Sequence, residues 1–89
     1  MYEILRTNQF KRDIKLAQKR GKDTDPLRKV IETLTQGQTL SAKHRDHQLK
    51  GVFTDCRECH IEGDWLLIYR IDGNSLQLVR TGTHSDLFR

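Results

Sequence analysis

Three histidines, two carboxylates and one arginine are the side chains whose types could support acid–base chemistry. In chain order they are His47, Glu58, His60, Asp64, Arg80 and His84. Cleaving RNA without a metal needs a base for the 2′-hydroxyl proton, a cation for the charge on phosphorus and an acid for the leaving 5′-oxygen. Histidine suits both proton roles because its unperturbed pKa, about 6.5, lies near working pH. Two imidazoles and one guanidinium are sufficient for this reaction, although a histidine without a motif is more often a surface residue.

Two predicted strands would position most of these groups. Residues 65–71 are apolar at six of seven positions, which is typical of a strand in the middle of a sheet. Glu62-Gly63 is predicted to form the tight turn before this strand. Asp64 then stands at the start of the buried strand.

The strand before that turn has alternating polar residues. Glu58 and His60 are two residues apart and should share one face, whereas Arg57, Cys59 and Ile61 should share the other. A carboxylate and an imidazole side by side on a rigid sheet predict a catalytic floor. The same pattern also fits an ordinary solvated strand face.

The rest of the chain predicts one small α+β domain over residues 1–89. The N-terminal half predicts a strand at 2–6, a helix capped by Thr7 or Asn8 that runs to Arg20, and a second helix capped by Asp25 and ended by Gly37. An irregular loop follows at 39–51. After the two strands described above, an Asp72-Gly73 turn leads to a last strand at 76–80. Both helices are amphipathic, and the only apolar surface available to them is a sheet made by the C-terminal half. The predicted order is strand-helix-helix-strand-strand-strand.

Charge favours an anionic partner. The 16 Lys and Arg exceed the 12 Asp and Glu, so the net charge is +4, with a pI near 9.3. Such a balance is typical of proteins that bind nucleic acid or an acidic protein. The first helix has a basic outer face that could follow a phosphate backbone, although a solvated helix looks the same. The N-terminus has no apolar run for a signal peptide or membrane span, so we expect a cytoplasmic protein.

One motif matches a specific signature but is misleading. The residues from Cys56 to His60 have the form Cys-x-x-Cys-His, the attachment signature of c-type haem. Haem attachment requires export, and the odd separation of the two cysteines would place them on opposite faces of a strand. A structural zinc site would need a second ligand pair from the histidines. We therefore expect reduced cysteines, no metal and no cofactor.

Three ordered motifs resemble the YafQ branch of the RelE/ParE toxin superfamily. They are Asp46-His47-x-Leu49-x-Gly51, then Arg57-x-x-His60-x-x-x-Asp64-Trp65-x-Leu67-x-Tyr69, and Arg80-Thr81-Gly82-Thr83-His84-x-x-Leu87-Phe88. The resemblance implies two helices packed on a twisted antiparallel sheet. It also implies an mRNA interferase that cuts mRNA in the ribosomal A site. Such a toxin would be monomeric alone and held inactive in a hetero-oligomer with a cognate antitoxin.

The resemblance also implies catalytic roles. His84 matches the general acid for the leaving 5′-oxygen, and either His60 or His47 would take the 2′-hydroxyl proton. Asp64 would orient a histidine or fix its protonation. Arg80 would stabilise the phosphate in the transition state.

A second set of residues is expected to contact the substrate. Trp65 and Phe88 match positions that could stack on a base, although a Trp at the start of a strand is more often core. Glu58 stands where a better-known member of the family carries an aspartate, so its role is a supporting one. Arg57 and Lys50 complete the predicted set.

Two other functions are compatible with the predicted fold or with the net positive charge. A ParE-like inhibitor of DNA gyrase would have the same fold without needing the histidines. A small RNA-binding module without chemistry would need only the basic first helix.

Overall fold

The chain forms five strands and three helices in the order predicted from sequence, with two short elements added. The computed structural model describes residues 1–88. Its elements are β1 (Glu3–Arg6), α1 (Asn8–Lys19), α2 (Asp25–Thr35), β2 (His47–Gln48), β3 (Arg57–Glu62), β4 (Trp65–Asp72), β5 (Ser75–Gly82) and α3 (His84–Leu87). The additions are β2 and α3. A 3₁₀ turn at Ala42–His44 lies within the predicted loop, and a second one at Gly51–Phe53 begins at its last residue.

The helix ends follow the predicted signals closely. The Thr7 hydroxyl accepts the Phe10 backbone N–H at 2.9 Å and so caps α1. Gly21 follows α1 with a φ of +79°, a left-handed conformation that glycine adopts without strain. The start of α2 differs by one residue, because Asp25 is its first helical residue. The Asp23 carboxylate accepts the Asp25 N–H at 3.0 Å.

The sheet has the strand order β1-β5-β4-β3-β2. Its pairs are antiparallel as expected, except that β1 runs parallel to β5 at one edge. A parallel pair needs a long connection, and here every other strand and both long helices lie between the two strands in the sequence. The sheet is therefore mixed.

Both hairpin turns fall one residue later than the predicted dipeptides. The turn residues are Gly63-Asp64 and Gly73-Asn74. Gly63 and Gly73 have φ values of +51° and +58°, which suit the first position of a two-residue hairpin turn. Asp64 thus lies in the turn itself, at the end of the sheet.

The sheet has one face covered by α1 and α2, called here the helix face, and an opposite open face. The main core lies on the helix face and includes Trp65, Leu67 and Tyr69 of β4. A smaller cluster lies on the open face and consists of Cys56, Leu66, Ile68 and Leu87, with Leu49, Phe53 and Val79 packed against it. Within residues 1–88 no helix has the length and apolar character needed to cross a membrane.

Candidate active site on the open face

The polar residues of the open face are organised by rows that cross the sheet. Glu58 pairs with Ile68, and Ile68 pairs with Arg80, so these three residues form one row across β3, β4 and β5. His60 pairs with Leu66 in the neighbouring row. Adjacent strands lie about 4.8 Å apart, so the backbones of Glu58 and Arg80 are about 10 Å apart with apolar side chains of β4 between them.

Glu58 lies at the centre of the histidines. Its side chain is buried, with 4% of the residue exposed. His47 Nε2 lies 3.7 Å from Glu58 Oε1, and ligand atoms of Glu58, His60 and His84 all lie within 4.8 Å of one another. The structure therefore brings the three predicted catalytic histidines together around one buried carboxylate.

Asp64 orients His84. His84 Nδ1 lies 2.5 Å from Asp64 Oδ1, and the His84 backbone N–H donates to the same oxygen at 3.2 Å. These hydrogen bonds from His84 lower the pKa of Asp64. The carboxylate therefore stays ionised, and Nδ1 of His84 acts as the donor. Nε2 is then the ring nitrogen free to exchange a proton with a substrate.

The short helix α3 is held by its own cap and by α1. Thr83 and Asp86 form a capping box at its start. The Arg20 guanidinium donates to Asp86 at 2.8 Å and lowers the pKa of that carboxyl well below its usual range. At Gly82 an added Cβ would lie 3.0 Å from Asp86 Cβ and Oδ2. A side chain at position 82 would therefore press on α3, the helix that folds back on β5 and places His84.

Hydrogen bonds to backbone carbonyls define the tautomers of two histidines. A carbonyl oxygen can only accept, so the ring nitrogen that contacts it must carry the proton. His47 Nδ1 donates to Arg45 O at 2.7 Å, and His44 Nδ1 donates to His60 O at 2.6 Å. In neutral His47 the lone pair is therefore on Nε2, the nitrogen nearest Glu58. Sequence reasoning placed His44 only in an irregular loop and missed its contact with His60.

Arg80 is positioned by a residue that sequence reasoning missed. Its Nε and Nη2 donate to the two carboxylate oxygens of Asp13 at 3.0 and 2.9 Å, and this hydrogen bonding raises the pKa of Arg80. Asp13 is 6% exposed and also accepts the Thr81 N–H at 3.1 Å. It interrupts the apolar stripe of α1 between Phe10 and Ala17, and this acidic residue on a buried face is the signal that could have identified it.

Aromatic residues border the histidines. The Phe88 ring is 43% exposed, and its centroid lies 6.1 Å from that of His84. Phe53, from the second 3₁₀ turn, contacts Phe88 edge-on at 6.0 Å. Lys50 is exposed just before that turn. Phe88 therefore has a ring available next to the predicted acid.

Two of the predicted substrate contacts lie away from the histidine cluster. Trp65 is only 1% exposed, and its Nε1 donates to Thr81 Oγ1 at 2.9 Å within the helix-face core. Its ring cannot stack on a base there and instead stabilises the core. Arg57 pairs with Tyr69, so it belongs to the face opposite Glu58, and its Nε donates to Asp46 at 3.2 Å.

The cysteines do not contribute to the cluster. As their spacing predicts, Cys56 and Cys59 belong to the apolar clusters on opposite faces of the sheet. Burial raises the pKa of Cys59 to about 12, so its thiol stays protonated. The donors that could hold a transition metal ion are instead Glu58, His60 and His84.

Comparison with known proteins covers nearly the whole chain. Residues 2–89 match the family model described as the bacterial toxin of a type II toxin-antitoxin system, YafQ. The mRNA interferase toxin YafQ of Escherichia coli K12 is 43% identical over 88 residues, which are 97% of this chain and 95% of that protein.

Solved structures agree with this match. A copper-bound mutant toxin from Helicobacter pylori superposes with a TM-score of 0.94 at 36% identity, covering 99% of this chain and all of that one. The toxin fold is also found in the E. coli DinJ-YafQ complex, with a TM-score of 0.91, 39% identity and full coverage of both chains. The fold and the sequence match define a bacterial toxin of a type II toxin-antitoxin system. Within that class, the chain belongs to the YafQ family.

Proposed function

We propose that this protein is an mRNA interferase that cleaves RNA by attack of a 2′-hydroxyl on the adjacent phosphate. The observation that carries the proposal is the His84–Asp64 pair, placed beside His60 and the buried Glu58. A relative at 43% identity is named an mRNA interferase. The chemistry of the open face supports the same reaction in this chain.

His84 is the general acid. Asp64 accepts from Nδ1, so the protonated ring presents its second N–H from Nε2. That proton passes to the 5′-oxygen as the bond between phosphorus and this oxygen breaks. The carboxylate of Asp64 stabilises the imidazolium and holds the ring in one orientation, as a third group does for histidine in hydrolytic triads.

The base is His47, with His60 as the second candidate. Neutral His47 has its lone pair on Nε2, and an imidazolium formed there lies 3.7 Å from Glu58 Oε1. The 2′-hydroxyl loses its proton to this nitrogen while its oxygen attacks phosphorus. The products are a 2′,3′-cyclic phosphate and a 5′-hydroxyl, and the two proton transfers and the bond exchange balance without a metal ion.

Arg80 stabilises the charge on the phosphate. Its Nε and Nη2 are occupied by Asp13, which leaves the N–H groups of Nη1 for a phosphate oxygen. In this proposal the reacting phosphate would lie above Ile68, between the base and the guanidinium, because Ile68 pairs with Glu58 on one side and with Arg80 on the other.

Messenger RNA in the ribosomal A site is the proposed substrate, and an antitoxin is the proposed inhibitor. The seven lysines of this chain all lie within residues 1–88, and none of them forms an ion pair with another residue of that range. This unpaired positive charge favours an anionic partner, either RNA or an acidic protein. The E. coli relative was crystallised as a DinJ-YafQ complex, which supports a protein partner for this chain.

Mapping of RNA ends with programmed ribosomes tests the proposal. Cuts in the A site should end in a cyclic phosphate or a 3′-phosphate, depend on ribosomes and persist in EDTA. His84→Ala should lower the cleavage rate by about 10²–10⁴-fold because the general acid is lost. Ser85→Ala, an exposed change in the same helix, is the matched control and should cleave normally.

Other outcomes distinguish the alternative functions. Toxicity that survives replacement of His47, His60 and His84, with no RNA cut, would identify a gyrase inhibitor. A 3′-hydroxyl product or loss of activity in EDTA would contradict the metal-free mechanism. His47→Ala and His60→Ala separate the two candidate bases, because only loss of the base removes the acidic limb of the pH–rate profile.

A further inference from the structure

A groove of about 900 Å³ begins at His60 and runs along the open edge of β3 toward α2. The short strand β2 pairs only with Arg57 and Glu58, so the rest of β3 has no strand partner on this side. The first 3₁₀ turn covers part of that edge through the hydrogen bond from His44 to His60 O. The groove therefore shares one residue, His60, with the candidate active site.

Positive charge dominates the wall of this groove. Lys29 of α2 and Lys43 and Arg45 of the 3₁₀ turn line it, all three are exposed, and none takes part in an ion pair within the described chain. The only carboxylate among its lining residues is Glu62. Such a surface attracts a polyanion.

Arg45 has an unusual backbone that supports a role for this turn. Its φ of +48° is the only positive φ at a non-glycine residue among residues 1–88. The conformation directs the Arg45 carbonyl to His47 Nδ1 and leaves its side chain at the groove. Strained backbone of this kind is commonly kept where it serves a site. One residue thus connects the groove to the proposed base.

We propose that this groove binds the phosphate backbone of the single-stranded RNA next to the scissile bond. The proposal rests on the proposed nuclease function, because His60 belongs to both sites. Lys29, Lys43 and Arg45 would each contact phosphate oxygens without reading the bases, as in other grooves that follow a single strand.

The lining favours RNA over a protein segment. Three of the apolar residues that line the groove, Val30, Leu40 and Ile61, are buried in the core. The exposed side chains of the groove are all polar: Lys29, Thr39, Ser41, Lys43, Arg45 and Glu62. This wall is better suited to phosphate contacts than to the apolar face of an amphipathic helix. Position adds to this argument, since His60 both lines the groove and belongs to the candidate active site.

Binding of a short 2′-O-methyl RNA, which cannot be cut by 2′-hydroxyl attack, tests the groove directly. Affinity is measured by fluorescence anisotropy over a series of salt concentrations. Lys29→Gln combined with Lys43→Gln should weaken binding about tenfold and reduce the salt slope by about 1.4, because each contact to a single strand contributes roughly 0.7. The matched control is Lys11→Gln with Lys15→Gln, which removes the same charge from the exposed face of α1 and should weaken binding less than about twofold.

Three further results decide the proposal. If RNA binding weakens equally in both double variants, only net charge matters, and the proposed RNA site in the groove is overturned. Unchanged RNA affinity with weakened antitoxin binding would assign the groove to an acidic protein and also overturn it. The groove variant could lose RNA binding while the unaltered protein cuts no mRNA on ribosomes. That result would support the groove as an RNA-binding site and reject the proposed nuclease function.

Discussion

The two faces of strand β4 differ in what covers them. Trp65, Leu67 and Tyr69 face α1 and α2, whereas Leu66 and Ile68 face a small cluster made by the loop before β3 and by α3. All five residues are almost fully buried. One strand therefore supports both the main core and the floor of the candidate site, and the two-residue period of the strand separates them.

The covers of the two faces are held by different forces. The long helices pack through apolar stripes, so burial of apolar area dominates there. On the open face, α3 depends on the Thr83–Asp86 capping box, the Arg20–Asp86 ion pair and the absence of a side chain at Gly82. The face with the candidate site is thus held by polar contacts and close packing, and substitutions on the two faces should have different effects.

The largest loss of stability should follow a substitution on the helix face. Leu67→Ala removes a side chain with 0% exposure and should lower the free energy of unfolding by about 2–5 kcal/mol, because a cavity remains. Urea denaturation measures the change. Cleavage per folded molecule should stay near that of the unaltered protein, and a specific loss of activity would mean that the two faces are not separable.

Asp13→Asn should affect both the fold and the candidate site, because the Asp13 carboxylate of α1 holds the Arg80 guanidinium by two hydrogen bonds. The amide keeps an acceptor for the Thr81 N–H but leaves the partly buried guanidinium without its counter-charge. We expect about 2–3 kcal/mol lower stability and a cleavage rate at least tenfold lower. Denaturation and single-turnover cleavage check the two effects, and a rate that is unchanged in the folded fraction would show that Asp13 does not position Arg80 for catalysis.

Gly82→Ala should disturb mainly the open face. The new methyl group meets Asp86 at 3.0 Å, so α3 must shift, at a cost of about 1 kcal/mol. His84 moves with α3, and the cleavage rate should fall more than the stability. Ser85→Ala serves as the control on the same helix. Normal cleavage by Gly82→Ala would show that α3 tolerates the shift.

Asp64→Asn should have the smallest effect on folding and a distinct dependence on pH. Hydrogen bonds from His84 lower the pKa of Asp64, so the stabilisation is complete above the ordinary aspartate pKa of about 4 and is lost as pH falls through the lowered value. Melting curves of the two proteins should differ slightly at pH 7 and converge below about pH 4. Cleavage at pH 7 should fall, because the amide cannot stabilise the imidazolium of His84.

Local patterns in the sequence predicted much of this molecule. Apolar periodicity and glycine turns located both long helices and the three main strands, with errors of about one residue at the turns. Strand alternation correctly placed Glu58 and His60 together and the two cysteines on opposite faces. These features depend on neighbours along the chain, so their signals are present in the sequence itself.

Other features were decided only by tertiary structure. The parallel pairing of β1 with β5, the ion pair between Asp13 and Arg80, and the contact of His44 with His60 join residues that lie far apart in the chain. Burial also decided that Trp65 belongs to the core. Such contacts depend on which surfaces meet after folding, and local periodicity carries no information about that choice.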